Sequence, residues 1–360
     1  MRITFILPMY LNVPSGGFKV VYEYANRLNR RGHRITVIHP RNVGALEGLA
    51  EQAKARLWRY KIRASNHPLI PWFKIDADVR LDLVTDLRER FIPAGDAIFA
   101  TACETASPVF SYSSKKGRKF YLIQSYETWN GEEHSVQASW KLPLHKIAIS
   151  RQLIRQADDL GESARTSYIP NGLDFSIFNL TIPIPDRASP RIGMLAHPNE
   201  AKGMKDGIQA LQYVKGSVHD LQAVLFGTEP RCDDMPEWIE YVQRPSQRQL
   251  VELYNSCRIF LNPSWAEGWG LPASEAMACG CALVSADNGG VNEFAVDEEN
   301  ALVAPIKCPE LLAEKMMRLL SDDALRIDLA TAGHQSIQTF TWDRAVDSLE
   351  QILFQQVSRK

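Results

Sequence analysis

Apolar and polar positions alternate between two periods along the whole chain. Ile3–Pro8 is a short apolar run rich in β-branched and aromatic residues, which predicts a buried strand. Gly16 and Gly17 follow as a turn. Val20, Val21, Tyr24, Ala25 and Leu28 then recur at helical spacing, predicting a helix over Val20–Arg31. Gly32 stands where a helix C-terminal glycine belongs, and Ile35–Ile38 opens the next strand. That is one βαβ unit, which implies parallel pairing and a right-handed crossover. Further buried strands are predicted at Ala97–Thr101, Phe120–Gln124, Ile147–Ser150 and Ser167–Pro170. Lys54–Arg63 and His67–Trp72 interrupt the rhythm with basic, aromatic and proline-containing chemistry.

Ile182–Pro190 carries three prolines ahead of a fresh strand at Arg191–Leu195 and reads as a linker. A second series follows it. Strands are predicted at Ala223–Phe226, Ile259–Leu261, Ala282–Ala286 and Ala301–Ala304. Helices are predicted at Lys205–Val214, Gln247–Asn255, Pro272–Cys279, Pro309–Leu320 and Asp322–Gln335. The expected fold class is α/β, with two doubly wound domains in tandem over residues 1–185 and 186–341.

Length agrees, since 360 residues exceed one ordinary core. A net charge of −1 supplies no global basic field, so nucleic acid is not an expected partner. No run approaches the roughly 18 apolar residues needed to span a bilayer. Ile3–Pro8 is too short for the core of a signal peptide. The six cysteines (103, 232, 257, 279, 281, 308) form no CxxC pair and sit mostly in apolar or helical runs. Buried reduced thiols and a cytoplasmic location are expected.

The richest chemistry lies between Pro263 and Gly280, after the apolar strand Ile259–Leu261. Gly268 and Gly270 allow the loop backbone to approach a ligand, Trp269 and Leu271 stand beside them, and Pro272 suits a first helical turn. Free amides there lie at the positive end of a helix dipole, well placed for an anionic diphosphate. Glu275, expected in that first turn, and Glu267 before it stand eight positions apart. Their carboxylates can accept from vicinal hydroxyls such as those of a ribose and a hexose. Alone, Glu275 would only complement the dipole and Glu267 would only be solvated. The glycines, the proline and the strand's carboxyl edge together favour the ligand reading.

Glu267 to Glu275 resembles the E-x7-E motif of retaining family-four glycosyltransferases with the GT-B fold. Asn262-Pro263-Ser264, Glu267-Gly268-Trp269-Gly270-Leu271-Pro272 and Glu275-Ala276-Met277-Ala278-Cys279-Gly280 are similar to that family's most specific signature. Asn288-Gly289-Gly290-Val291-Asn292-Glu293 resembles its glycine turn and second acidic position. Ile169-Pro170-Asn171-Gly172-Leu173-Asp174 resembles its IPNGVD element, and Lys202-Gly203 its KG pair. The resemblance covers nearly the whole chain. It implies two Rossmann-like domains facing across a cleft, with a last helix (Asp343–Gln356, within 342–360) returning to the N-terminal domain. It also implies hinge closure at the linker.

By the family pattern Glu275 holds the donor ribose, and Glu267 the transferred sugar or reaction centre. Lys202 neutralises the departing diphosphate, an electrostatic term of the kind that dominates catalysis. Lys205 competes with Lys202 for that role. Gly16 and Gly17 bring a helix N-terminus towards phosphates or acceptor, or form only a turn. Asn171, Gly289 and Gly290 complete the donor-binding set.

The chain also departs from the pattern. Gly193-Met194-Leu195 replaces a GRL triplet, so one expected phosphate cation is missing or is supplied by His197, Lys205 or Arg231. The usual N-terminal histidine gives way to Gln124-Ser125-Tyr126-Glu127-Thr128-Trp129, where Glu127 orients donor or acceptor, or is only a cap. These departures lean towards a specialised, deoxyhexose-transferring subgroup, such as one using rhamnose.

The implied reaction retains the anomeric configuration by same-face attack, driven by positioning rather than by a hydrolytic acid/base pair. Its co-substrate is a nucleotide-diphosphate sugar, and its acceptor a glycan or polyprenyl-linked lipid of surface polysaccharide or glycoconjugate synthesis. No metal or other cofactor is expected, because the one DxD, Asp76-Ala77-Asp78, lies outside the donor domain. Lys54–Arg63 and His67–Phe73 suggest peripheral contact with the inner membrane surface, or a surface helix with snorkelling cations. A nucleotide-sugar 2-epimerase would need acid/base groups aimed at C2, and none stands out. An NAD-dependent oxidoreductase is not expected, because Gly16-Gly17 lacks the GxGxxG spacing and His39-Pro40, not an acidic residue, ends the second strand. A non-catalytic nucleotide-sugar scaffold is opposed by the intact Glu267, Glu275 and Lys202, although Met194 leaves it open.

Overall fold

The computed structural model describes residues 1–64, 68–127 and 133–357, with the side chain of Arg63 also outside the description. His67, Thr128 and Trp129 of the segments discussed above therefore lie outside the described residues. The chain divides into two compact units, Met1–Asn171 with Asp343–Lys360, and Gly172–Trp342.

The first unit is a seven-stranded sheet built from β1 (Arg2–Ile6), β2 (Arg34–Pro40), β3 (Arg80–Val84), β4 (Ala97–Ala100), β5 (Arg118–Ile123), β6 (His145–Ala148) and β7 (Thr166–Tyr168). The order is β3-β2-β1-β4-β5-β6-β7, and every pairing is parallel. Helices α1 (Gly16–Arg30), α2 (Leu49–Ala64), α3 (Cys103–Ser111), α4 (Glu133–Trp140) and α5 (Arg151–Asp159) connect them. Strands covered on both faces need unbroken apolar runs, and Phe5, Phe99 and Phe120 stack through the sheet's middle with centroids 4.8 Å apart at each step.

The second unit holds β8 (Arg191–Leu195), β9 (Gln222–Gly227), β10 (Ile239–Gln243), β11 (Ile259–Asn262), β12 (Ala282–Ala286) and β13 (Leu302–Ala304) in the order β10-β9-β8-β11-β12-β13, again all parallel. Helices α6 (Met204–Ser217), α7 (Gln247–Ser256), α8 (Leu271–Ala278), α9 (Pro309–Ser321) and α10 (Asp323–Ile337) complete it. Both sheets are doubly wound, with the Rossmann order reversing beside the first strand of each.

The last helix, α11 (Trp342–Val357), packs on the first unit by burying Val346, Leu349 and Leu353. Glu350 fastens it there, accepting from Arg31 at 2.5 Å and contacting His33 Nε2 at 2.7 Å.

Several expectations are corrected. Residues 172–185 cluster with the second unit and not the first. The side chain of Asn255 accepts from the amides of Thr181 and Ile182, and buried Arg187 donates to the carbonyls of Cys257, Cys279 and Gly280. Strands β3 and β10 and helices α3, α4 and α5 were not foreseen. Trp72 and Phe73 are not exposed aromatics, since both lie 5.5 Å from the Tyr22 ring and Ile70 is buried. Cys257, Cys279 and Cys281 are buried free thiols, but Cys103, Cys232 and Cys308 are only half-buried. Asp76 of the DxD is taken up by the Arg30 guanidinium at 2.7 and 2.9 Å. No helix among the described residues is long and apolar enough to cross a membrane.

Candidate active site

In the second unit the strand order reverses between β8 and β11, and the crevice outside their carboxyl ends is where doubly wound sheets bind ligands. Two loops meet there. The first runs from Ala196 through a short 3-10 turn, Glu200–Lys202, to Gly203, the N-cap of α6. The second runs from Pro263 to Gly270, the N-cap of α8. The Trp265 amide donates to Ala201 O at 2.7 Å, and its indole Nε1 to Asp206 at 2.7 Å. So docked, the loops bring Lys202 Nζ to 2.7 Å from Glu267 Oε2. Both side chains remain partly exposed, at 26% and 12%, so a ligand can reach them. Pairs of this exposure are worth on the order of 1 kcal/mol; a multiply charged anion can compete for the ammonium.

Gly203 is required by geometry. Its φ is +62°, and a Cβ there would overlap the carbonyl of Pro263. Gly290, in the loop after β12, is equally constrained: a Cβ would sit 2.6 Å from Trp269 N and 2.8 Å from Glu267 O. The Glu267 amide donates to Asn288 O at 3.1 Å, locking this third loop to the second. Gly289 turns the chain with φ +81° and Gly270 starts α8 with φ +96°. Gly268 is buried and Leu271 half-buried.

Three placements differ from expectation. Glu275 is the fifth residue of α8, because the helix begins at Leu271, so it lies beyond the first turn. It is buried and accepts from the Tyr254 hydroxyl at 3.2 Å. Burial first, and then the Glu275 charge, hold that phenol protonated well above its ordinary range. Trp269 turns inward, 2% exposed between Phe294 and Phe340 with its Nε1 on Ser274; it shapes the loop from beneath. Met194 is fully buried against Gly207, so a charge there would enter the packing of α6 on β8. Of the substitutes considered, Arg231 spends its guanidinium on the carbonyls of Met235, Pro236 and Ile239. Burial, and then the Lys202 charge, push the His197 imidazole below its ordinary range. Lys205 stands exposed on the first turn of α6.

In the first unit the order reverses between β1 and β4. Gly16 and Gly17 open α1 beside that point, and Gln124 Nε2 donates to Gly17 O at 3.0 Å. Glu127, after β5, accepts from the Cys103 amide at 2.6 Å and so caps α3. Burial pushes the Glu127 carboxyl up to about 7, with the Cys103 hydrogen bonds opposing. Among the described residues, the ligand atoms of Cys103, Glu104 and Glu127 lie within 4.8 Å of one another. Asn171 ends this unit with its Oδ1 buried and unpartnered.

Trp265, Asp206, Tyr254 and Gln124 were not picked out as site residues. Trp265 lies within the signature stretch, Asp206 follows the KG pair and Gln124 opens the run that departs from the family pattern, which were the available signals; Tyr254 carried none.

The second unit is thus a doubly wound sheet that gathers a lysine, two carboxylates and glycine-built loops at its switch point. Residues 189–322, from β8 through α9, match the family described as "Glycosyl transferases group 1". An uncharacterized glycosyltransferase of Methanocaldococcus jannaschii is 30% identical over 114 residues, 32% of each chain. This chain therefore spans about a third of that relative's length. The phosphatidyl-myo-inositol mannosyltransferase of Mycobacterium tuberculosis is 22% identical over 95% of this chain and 93% of its own. The fold of Anabaena HepE, solved with UDP-glucose, superposes with a TM-score of 0.75 at 15% identity over all of both chains. Residues 189–322 are thus similar to the group 1 glycosyltransferases, and the chain as a whole has the GT-B fold.

Proposed function

We propose that this protein is a retaining glycosyltransferase that moves a sugar from a nucleotide diphosphate to a glycan or lipid-linked acceptor without a metal ion. The observation that carries the reading is the Lys202–Glu267 pair at the switch point of the second sheet. An incoming diphosphate draws the Lys202 ammonium from Glu267 and keeps it as leaving-group charge grows. Glu267, so released, accepts from the sugar's hydroxyls beside the reacting carbon. Glu275, fixed by Tyr254, accepts from the ribose, while the amides at the start of α8 face the phosphates. The first unit takes the acceptor, with Glu127 as a hydrogen-bonding group there. The relative that acts on a phosphatidyl-inositol supports a lipid acceptor, and HepE supports a nucleoside-diphosphate donor. The run from Gln124, which stands where the family pattern has a histidine, favours a deoxyhexose such as rhamnose, in surface polysaccharide or glycoconjugate synthesis.

The test is a thermal-shift panel of UDP, GDP, ADP, CMP and dTDP, with magnesium or with EDTA, on wild type, Glu275→Ala and Lys202→Met. A ligand at about 100 times its dissociation constant adds roughly 2.7 kcal/mol. One diphosphate is expected to raise the wild-type melting temperature equally with magnesium and with EDTA, and to do far less for either variant. A magnesium-dependent shift would overturn the metal-free reading. No shift with any nucleotide would overturn the donor site.

A further inference from the structure

Helix α2 is poorly buried for its length. Of its sixteen residues only Ala55 is buried among those described, and the helix is pinned to the body through Trp58, whose ring lies 6.1 Å from Tyr10. The outward side is not the polar face expected of a surface helix. Leu49, Leu57 and Tyr60 are exposed by 87%, 52% and 70%. At about 100° per residue they fall with exposed Ala53 and Ala64 inside an arc of roughly 80°. Lys54 and Lys61 border this stripe on one flank, and Arg56 and then Arg59 on the other. The one acidic residue of the helix, Glu51, lies on the opposite side and pairs with Lys54 at 2.7 Å.

We propose that this outward face of α2 is an in-plane docking surface for an anionic lipid bilayer. An apolar stripe flanked by cations on both sides suits the boundary between headgroups and acyl chains, where leucine and tyrosine enter and lysine and arginine reach anionic headgroups. The chain's net charge is only −1, so the attraction is local to the helix and weakens with salt. The proposed contact lies in the plane of the bilayer. It does not depend on the transfer reaction.

The full chain is sedimented with phosphatidylcholine vesicles that contain or lack phosphatidylglycerol, at low and at physiological salt. Wild type is expected to pellet with the anionic vesicles, more at low salt, and to stay in solution with neutral ones. Lys54→Gln and Lys61→Gln should each lower partitioning about fivefold. The double variant Leu57→Asp, Tyr60→Asp should abolish it, and Arg248→Gln on the second unit should leave it unchanged. These side chains are exposed, so unchanged melting and an intact nucleotide-diphosphate shift will show that the variants are folded with the donor site whole. The proposal is overturned if wild type ignores anionic vesicles, or if the α2 variants pellet like wild type. It also falls if size-exclusion chromatography shows a dimer that the α2 variants break while vesicles are ignored, which would assign the face to a second copy of the chain.

Discussion

Glu127 shows how a side chain's surroundings, and not its type, set its chemistry. As a residue after a strand it reads as a cap or as a catalytic group, and the fold sets one carboxylate oxygen on the Cys103 amide at the start of α3, in a buried setting that lifts its pKa to about 7. The carboxyl holds its proton to higher pH when folded than when unfolded, where about 4.5 is usual. Its contribution to stability is therefore fully present below pH ~4.5 and is lost as pH rises through 7. Glu127→Gln should match wild type near pH 4.5 and gain on it towards pH 8, by on the order of 3 kcal/mol. Melting curves across that range give the check, and a difference independent of pH would show that the carboxyl is not perturbed. Lys202 and Glu267 were visible at this scale as types. Their 2.7 Å contact, across 65 positions, was not.

Elements were legible where burial was two-sided. The central strands β1, β4, β5, β8, β11 and β12 are apolar runs that must be covered on both faces, and each was foreseen to within a few residues. The missed strands β3 and β10 each form one edge of a sheet, where RLDLV and IEYVQ mix charged with apolar residues. The helix start at Gly203 joins local signal to packing: the KG pair was readable, whereas the Pro263 carbonyl that forbids a Cβ was not. Gly203→Ala should misplace the Lys202 turn and lower both melting temperature and diphosphate affinity. Retention of the diphosphate shift at wild-type strength would show that the turn tolerates the methyl group.

At the scale of the molecule the chain passes between the units at Asn171–Gly172 and again at Trp342–Asp343. The two passages run side by side in a parallel bridge of Leu173 with Thr341, and Gly172 leaves no room for a Cβ against Trp342. This gives Gly172 a structural reason independent of any ligand. Beyond the second passage α11 is part of the first unit's core, so Leu353→Ala, at a fully buried position, should cost about 2–5 kcal/mol. Hydrogen exchange of β1 and β2 amides would register that loss. Unchanged protection would mean the helix is not integral to that core.

By itself the sequence determined the α/β class, the duplication into two doubly wound units and the positions of the signature loops. Those depend on periodicity, glycine and proline, which act over a few neighbours. Only the tertiary structure decided which side chains meet. It turned Trp269 inward, buried Met194 beneath α6, assigned 172–185 to the second unit and turned the apolar stripe of α2 outward. Each of those outcomes depends on what a distant segment places opposite, and local pattern carries no record of that.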